Sequence, residues 1–244
     1  MPLKNREKSD RRAYVDMPYD VRDKDAEMRA DVEMAARIIE DRALKTRQFF
    51  NTIAEHWDTL SREVLGGFDL AGAVCDTMPE GCDTSVDLGC GTGIVLERMR
   101  GRARQIIGVD GSPRMLELSR RRLAGVEGEP EGVSLRIGEL SHLPLRDCEA
   151  DFASINMVLH HLSNPENALA EIRRVLRSGG LLVVADFDRH TQERMRLDYG
   201  DLWLGFDEAT MARLLHAASF EVVSTTRYPV EQGLALNLTL ARRL

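Results

Sequence analysis

Residues 85–94 read Ser-Val-Asp-Leu-Gly-Cys-Gly-Thr-Gly-Ile, and no other stretch limits the fold as tightly. A β-prone run ends in Asp87, glycines stand at 89, 91 and 93, and an amphipathic segment with Ile94, Val95, Leu96 and Met99 begins at once. That is a strand, a tight loop and a helix N-terminus, the arrangement in which backbone approaches a nucleotide-like ligand closely. A dinucleotide site written G-x-G-x-x-G would need glycine at position 94, and that residue is Ile94.

A second acid-tipped strand follows over 105–110. Asp110 stands at nearly the offset, about 20 residues, at which a βαβ unit places an acid against a ribose. A carboxylate suits a ribose diol because it accepts both hydroxyl protons, and charged acceptors bond more strongly than neutral ones. Ser112 is the expected N-cap of the next helix, with Pro113 in its first turn.

From position 84 onward strands and helices alternate. Strands are expected at 84–88, 105–110, 133–138, 150–156, 180–187, 220–226 and 234–241, and helices at 93–100, 113–123, 165–176 and 207–218. Asn164-Pro165 and Asp207 are helix-start signals, and Ser178-Gly179-Gly180 ends a helix. Such alternation predicts a parallel sheet covered on both faces. No helix separates the last two strands, so they should form a hairpin and leave the final strand antiparallel.

The glycine loop and the Asp110-x-Ser112-x-x-Met115-Leu116 segment resemble the first motifs of class I S-adenosylmethionine (SAM) methyltransferases. The resemblance covers most of 84–226 and implies a Rossmann-like seven-stranded sheet, last strand antiparallel, with SAM as cofactor. It also implies roles. Asp87, Gly89, Cys90, Gly91 and Gly93 would line the cofactor loop. Asp110, Gly111 and Met115 would stand by the ribose. Glu139 and Leu140 match the segment that meets adenine, with Glu where Asp is usual, and Asn156 would lie beside the methionine portion. Two further stretches, 44–60 and 186–206, resemble methyltransferase domains fused to ArsR-type winged-helix regulators. The chain is too short ahead of them for a winged helix, so DNA binding is not carried over.

Ahead of the sheet, Met28, Val32, Ala35, Ile39, Phe50, Ile53, Trp57, Leu60 and Val64 fall at helical intervals, in one long helix or two in series. Gly66-Gly67 stops them. This gives three regions: a loosely ordered arm over 1–24, a helical extension over 25–80 and the SAM-binding domain over 81–244. The extension would serve as a lid, with Phe50 over the cofactor, or as a homodimer interface.

The net charge of −7 gives no reason to expect nucleic acid as a partner. No apolar run approaches the roughly 18 residues that span a bilayer, and the charged start carries no signal segment. No membrane partner is therefore expected, and the cytoplasm is the expected compartment. Cys75, Cys82, Cys90 and Cys148 show no C-x-x-C spacing, so no metal site is expected.

Methyl transfer needs a general base only when the acceptor still holds its proton. His161, His190 and Asp186 are the catalytic candidates; His160 is another histidine in reach, and one of the adjacent pair is expected to be structural. His190 lies past the C-terminal end of the fifth strand, where open α/β sheets bind ligands. The expected activity is methyl transfer from SAM to a small-molecule acceptor. The alternative is a non-catalytic module that senses SAM or S-adenosylhomocysteine.

Overall fold

The computed structural model describes residues 19–124 and 132–244. They divide at Leu44 into two units, the second running from Lys45 to Leu244. The expected arm lies outside the described residues up to position 18. Helix α1 (Tyr19–Ile53) already begins at Tyr19, ahead of the expected boundary at 25. Met28, Met34, Ile38 and Leu44 are exposed on it, whereas the side chains of Val32, Ala35 and Ile39 lie outside the described residues.

Within the second unit a 3-10 turn, Ala54–His56, separates α1 from α2 (Trp57–Leu65). Buried Ala54 lies in that turn. Gly66 ends α2 with φ of 60°, a left-handed value that glycine adopts without steric cost. The short α3 (Leu70–Cys75) follows, capped by the Asp69 carboxylate on the Gly72 amide.

Strands β1 (Cys82–Leu88), β2 (Ala103–Asp110), β3 (Val133–Ile137), β4 (Ala150–Asn156), β5 (Leu176–Phe187), β6 (Phe220–Pro229) and β7 (Ala235–Arg243) form one sheet, ordered β3-β2-β1-β4-β5-β7-β6. β7 runs antiparallel to both β5 and β6, and the pairings from β3 to β5 are parallel. The hairpin expected from the missing helix is present. Helices α4 (Ile94–Met99), α5 (Pro113–Ala124), α6 (Pro165–Val175), α7 (Arg194–Asp198) and α8 (Glu208–Ala217) complete the element order. Among the described residues three apolar clusters form the core, the smallest made of Val64, Phe187, Met195 and Leu234. Of the other two, one gathers Val86, Val109, Ile155 and Leu169 with Leu215 of α8, and the second joins Leu96, Met99, Phe152 and Leu236.

β5 begins at Leu176, four residues before the expected start, because Ser178-Gly179-Gly180 lies inside the strand at a register shift opposite β4. These residues accommodate a bulge and do not end the preceding helix. Chain order reverses between β1 and β4, so the C-terminal ends of those strands flank the crevice where open α/β sheets take ligands.

Candidate functional site

The glycine loop lies over that crevice with Gly89, Gly91 and Gly93 all at positive φ. A Cβ on Gly89 would come within 2.6 Å of Val158, and one on Gly93 within 2.4 Å of Ser119 Oγ. Gly91 is different, because a Cβ there would meet only Trp57, at 3.7 Å from Nε1. Two of the glycines serve packing, and the third leaves a cradle under an indole. Cys90 is buried, and burial lifts its thiol well above the usual range, so it acts as a small apolar residue.

Asp110 does more than end a strand. Its Oδ2 accepts from the Gly91 amide at 2.9 Å and its Oδ1 from the Ser112 amide at 2.8 Å. The carboxylate thus ties the loop to the start of α5 while keeping a free lone pair on each oxygen. Burial raises its pKa, opposed by those two N–H bonds. Ser112 Oγ caps α5 through the Met115 amide at 3.2 Å, and the Met115 side chain is buried. Gly111 has Gly138 O and Arg47 Nε as its nearest neighbours.

At the end of β1, Asp87 Oδ1 accepts from Ser154 Oγ at 2.6 Å and Asn156 Nδ2 at 3.0 Å. Burial pushes the Asp87 carboxyl up to about 7, against those two hydrogen bonds. Asn156 Oδ1 is buried without a partner. Glu139 is exposed and pairs with Arg47, and Leu140 packs at the edge of the core.

The last turns of α1 and all of α2 close over the loop. Ser112 Oγ donates to Asn51 Oδ1 at 2.5 Å, Thr92 Oγ1 donates to Asp58 Oδ1 at 2.6 Å, and Arg122 pairs with Asp58. Glu55 pairs with Arg114. Phe50 sets its ring edge-on to Trp57 and to His161, with centroids 5.2 and 4.9 Å apart.

Beneath Trp57 lies a cavity of about 20 Å³, lined by α2, Met157, His160, His161, Phe187, Met195, Tyr199 and Asp201. Both imidazoles face it from the 3-10 turn Leu159–His161, at the C-terminal end of β4. The loop that carries Asp201 is held down when the Leu202 and Trp203 amides donate to His160 O at 2.9 and 3.0 Å.

The catalytic candidates separate. Asp186 does not line the cavity, and its oxygens already accept from His160 Nδ1 at 2.7 Å and the Phe187 amide at 2.8 Å. It orients a histidine and is not a free base. His190 is also outside the cavity lining, with Nδ1 accepting from the Gln192 amide. Burial lowers the His190 pKa, as does the neighbouring His160 charge. His161 is at the cavity, its Nδ1 3.2 Å from Gly200 O, and burial followed by the His160 charge holds it well below the usual histidine range.

Of the adjacent histidines, either of which could have been the structural one, both line the cavity, and Asp201 joins them although nothing in the sequence marked it for a catalytic or ligand role. Burial pulls the His160 pKa down, but Asp186 and Asp201 outweigh it and the net shift is upward. Burial raises Asp201 to about 6 against the His160 charge, and neither of its oxygens has a hydrogen-bond partner. Asp201 lies in a loop with no periodicity to mark it, between Gly200 and Gly205, both at positive φ.

Residues 86–184 match a family model described as a methyltransferase domain. Among curated proteins, the chain is 37% identical over 123 residues to an uncharacterised 37.1 kDa protein in transposon Tn4556 of Streptomyces fradiae. That match covers 49% of this chain but 34% of the relative, so the chain spans about a third of that protein's length. It is 28% identical over 212 residues to a demethylmenaquinone methyltransferase of Desulfitobacterium hafniense, covering 80% of each chain. Among solved structures, geranyl diphosphate C-methyltransferase from Streptomyces coelicolor, in complex with Mg2+, geranyl diphosphate and S-adenosyl-L-homocysteine, superposes with a TM-score of 0.63 at 14% identity. That superposition covers 71% of this chain and 78% of the other.

Proposed function

We propose that this chain, whose residues 86–184 match a family model described as a methyltransferase domain, transfers a methyl group from SAM to a small-molecule acceptor held beside His160 and His161. The observation that carries this reading is Trp57. Its indole stands over the open face of Gly91 and also lines the imidazole cavity, so the nucleotide cradle and the polar cavity share one wall.

SAM fits the residues present, because the cradle at Gly91 is a space that any side chain would fill. SAM supplies an electrophilic methyl on a sulfonium sulfur. The free lone pairs of Asp110 would accept from the ribose hydroxyls, and Asn156 Oδ1, buried and unpartnered, would accept from the methionine portion. Glu139 with Leu140 would meet the adenine once Glu139 leaves Arg47. Phe50 and Trp57 would exclude water and offer aromatic faces to a cation, worth about 0.5–2 kcal/mol. Holding the acceptor in line supplies the larger part of the acceleration, up to roughly 7–11 kcal/mol in well-oriented systems.

The lining is mostly apolar, with Leu60, Val64, Leu65, Met157, Phe187 and Met195 around three titratable groups. That suits a flat apolar acceptor with one polar reacting group. Quinone methyltransferases among the relatives, such as the 2-phytyl-1,4-naphtoquinone enzyme of Trichormus variabilis, support a small molecule of this kind. One observation favours the rival reading of a SAM-sensing module: a cavity of about 20 Å³ has room for little more than a water. Calorimetry with SAM and S-adenosylhomocysteine, followed by methyl transfer from labelled SAM to a panel of quinols and phenols, separates the two. Binding with turnover supports the enzyme, binding without turnover on any acceptor supports the sensor, and no binding ends both.

The homodimer belongs to the same proposal, supported by Met28, Met34, Ile38 and Leu44 exposed on α1; a monomer mass by light scattering would remove it. The four free cysteines are what a reducing compartment such as the cytoplasm favours. Among the described residues, no helix is long and apolar enough to cross a membrane. The acidic balance supports an acceptor other than nucleic acid.

A further inference from the structure

We propose that His160, His161 and Asp201 form a binding site for one divalent transition-metal ion in the wall of the acceptor cavity. The assignment stands on the geometry of these three side chains; only its placement beside an acceptor rests on the methyltransferase reading.

One nitrogen of each imidazole and one Asp201 carboxylate oxygen lie within 4.8 Å of one another, and all three residues are buried. His160 Nδ1 must donate to Asp186, because the Asp186 oxygens otherwise receive only N–H donors. In the neutral ring its Nε2 therefore turns a lone pair toward Asp201 Oδ1, 3.7 Å away. Two buried acceptors facing each other at that distance repel unless something positive lies between them. The separation is too long for a direct hydrogen bond. It suits a shared ion: ligand atoms each about 2.1 Å from one metal are roughly 3.4 Å apart in a tetrahedron and about 4.2 Å apart when opposite.

His161 completes the set. Its ring lies beside the same Asp201 oxygen, 3.9 Å away at Nδ1, and with Nδ1 turned to Gly200 O the nitrogen left to ligate is Nε2, which is buried with no partner. Neither oxygen of Asp201 has a hydrogen-bond partner, although its side chain is fully buried. A buried charge left so is costly unless it is paired or coordinates a metal.

The surroundings fit as well. Metal-bound histidines usually donate their other ring N–H to a carboxylate or a backbone carbonyl, which fixes ring and tautomer. His160 does so to Asp186 and His161 stands against Gly200 O. The cavity of about 20 Å³ has room for an ion or a single water. Two imidazoles with one carboxylate favour zinc, iron, cobalt or nickel over Mg2+, which prefers oxygen ligands and keeps its waters. Three protein ligands leave a coordination position open, and an acceptor oxygen entering there would be polarised.

The test uses the full chain, stripped with a chelator and titrated with Co2+ and separately with Zn2+. Cobalt is read by its ligand-field absorption, zinc by elemental analysis after gel filtration. The expected result is one ion per chain, with affinity weakened at least tenfold in Asp201→Asn and in His161→Ala and unchanged in the surface control His216→Ala. Asp201→Asn is isosteric, and its circular dichroism and melting curve check that the fold persists. No stoichiometric ion in the wild type, or equal affinity in a folded Asp201→Asn, overturns the site. SAM calorimetry on the same samples keeps the two ideas apart. Metal binding without SAM binding sinks the methyltransferase reading alone, and SAM binding without metal sinks the metal site alone.

Discussion

His160 Nδ1 lies 2.7 Å from Asp186 Oδ1, and both side chains are 2% exposed. That bond decides which nitrogen of His160 faces the cavity. In Asp186→Asn the new amide can donate to Nδ1, so the ring proton moves to Nε2 and the lone pair toward Asp201 is lost. Removing such a supporting contact costs roughly 10- to 100-fold in metal affinity or activity. Turnover and Co2+ affinity are expected to fall by that factor, with SAM affinity within about twofold of wild type. Unaltered turnover would show that the orientation of His160 does not matter.

The closing segment should govern how long SAM stays bound. Asp58 is the hub, accepting from Thr92 Oγ1 and pairing with Arg122, whose Nε also donates to Thr92 O. These side chains are partly exposed, so the ion pair itself contributes little in water. The combined latch still holds Trp57 over Gly91. Asp58→Ala is expected to speed SAM release about tenfold with little loss of melting temperature. Stopped-flow tryptophan fluorescence reads the release directly, and an unaltered rate would mean that α2 is not the lid.

Most of the sheet is legible in the sequence because its signals are local. β2 and β4 end at Asp110 and Asn156, β1 ends one residue past Asp87, and two helices start just after their caps Asn164 and Asp207, each using chemistry confined to a few residues. The strand 150–156 and the antiparallel β7 follow directly. What escaped depends on contacts far apart in sequence. The break at Ala54–His56 has no glycine or proline to mark it. Asp201 meets His160 only because the chain folds back and donates two amides to His160 O. Asp186 has the position of a base, and only its partners show that its oxygens are occupied.

Asp87 should give the fold a pH dependence of definite sign. Its folded pKa, about 7, lies above the ordinary value of 3.8 because burial disfavours the charge. Between those values the folded chain keeps a proton that the unfolded chain has released, so stability falls as pH rises through that window and levels off above it. The full effect is bounded by about 4 kcal/mol. Asp87→Asn keeps an acceptor for Ser154 and Asn156 and removes the titration. Its melting temperature relative to wild type is expected to rise between pH 4 and pH 7 and then level off. A difference that stays flat across that range would overturn the assignment.

Asp110 is where the cofactor reading is most exposed to test. Its two oxygens already hold the Gly91 and Ser112 amides, so Asp110→Ala would loosen the loop as well as remove the acceptor for a ribose. Asp110→Asn is the cleaner change, because one oxygen remains for one amide and the charge is gone. Losing a hydrogen bond to a charged group costs roughly 1.5–3 kcal/mol, about ten- to a hundredfold in affinity. Calorimetry should therefore find SAM and S-adenosylhomocysteine weakened together by that factor, since both carry the same ribose. Melting of the ligand-free variant separates the two roles: a modest drop reports the lost loop contact, and the affinity loss in excess of it reports the ribose. If the folded variant binds both ligands as tightly as wild type, Asp110 serves only the loop.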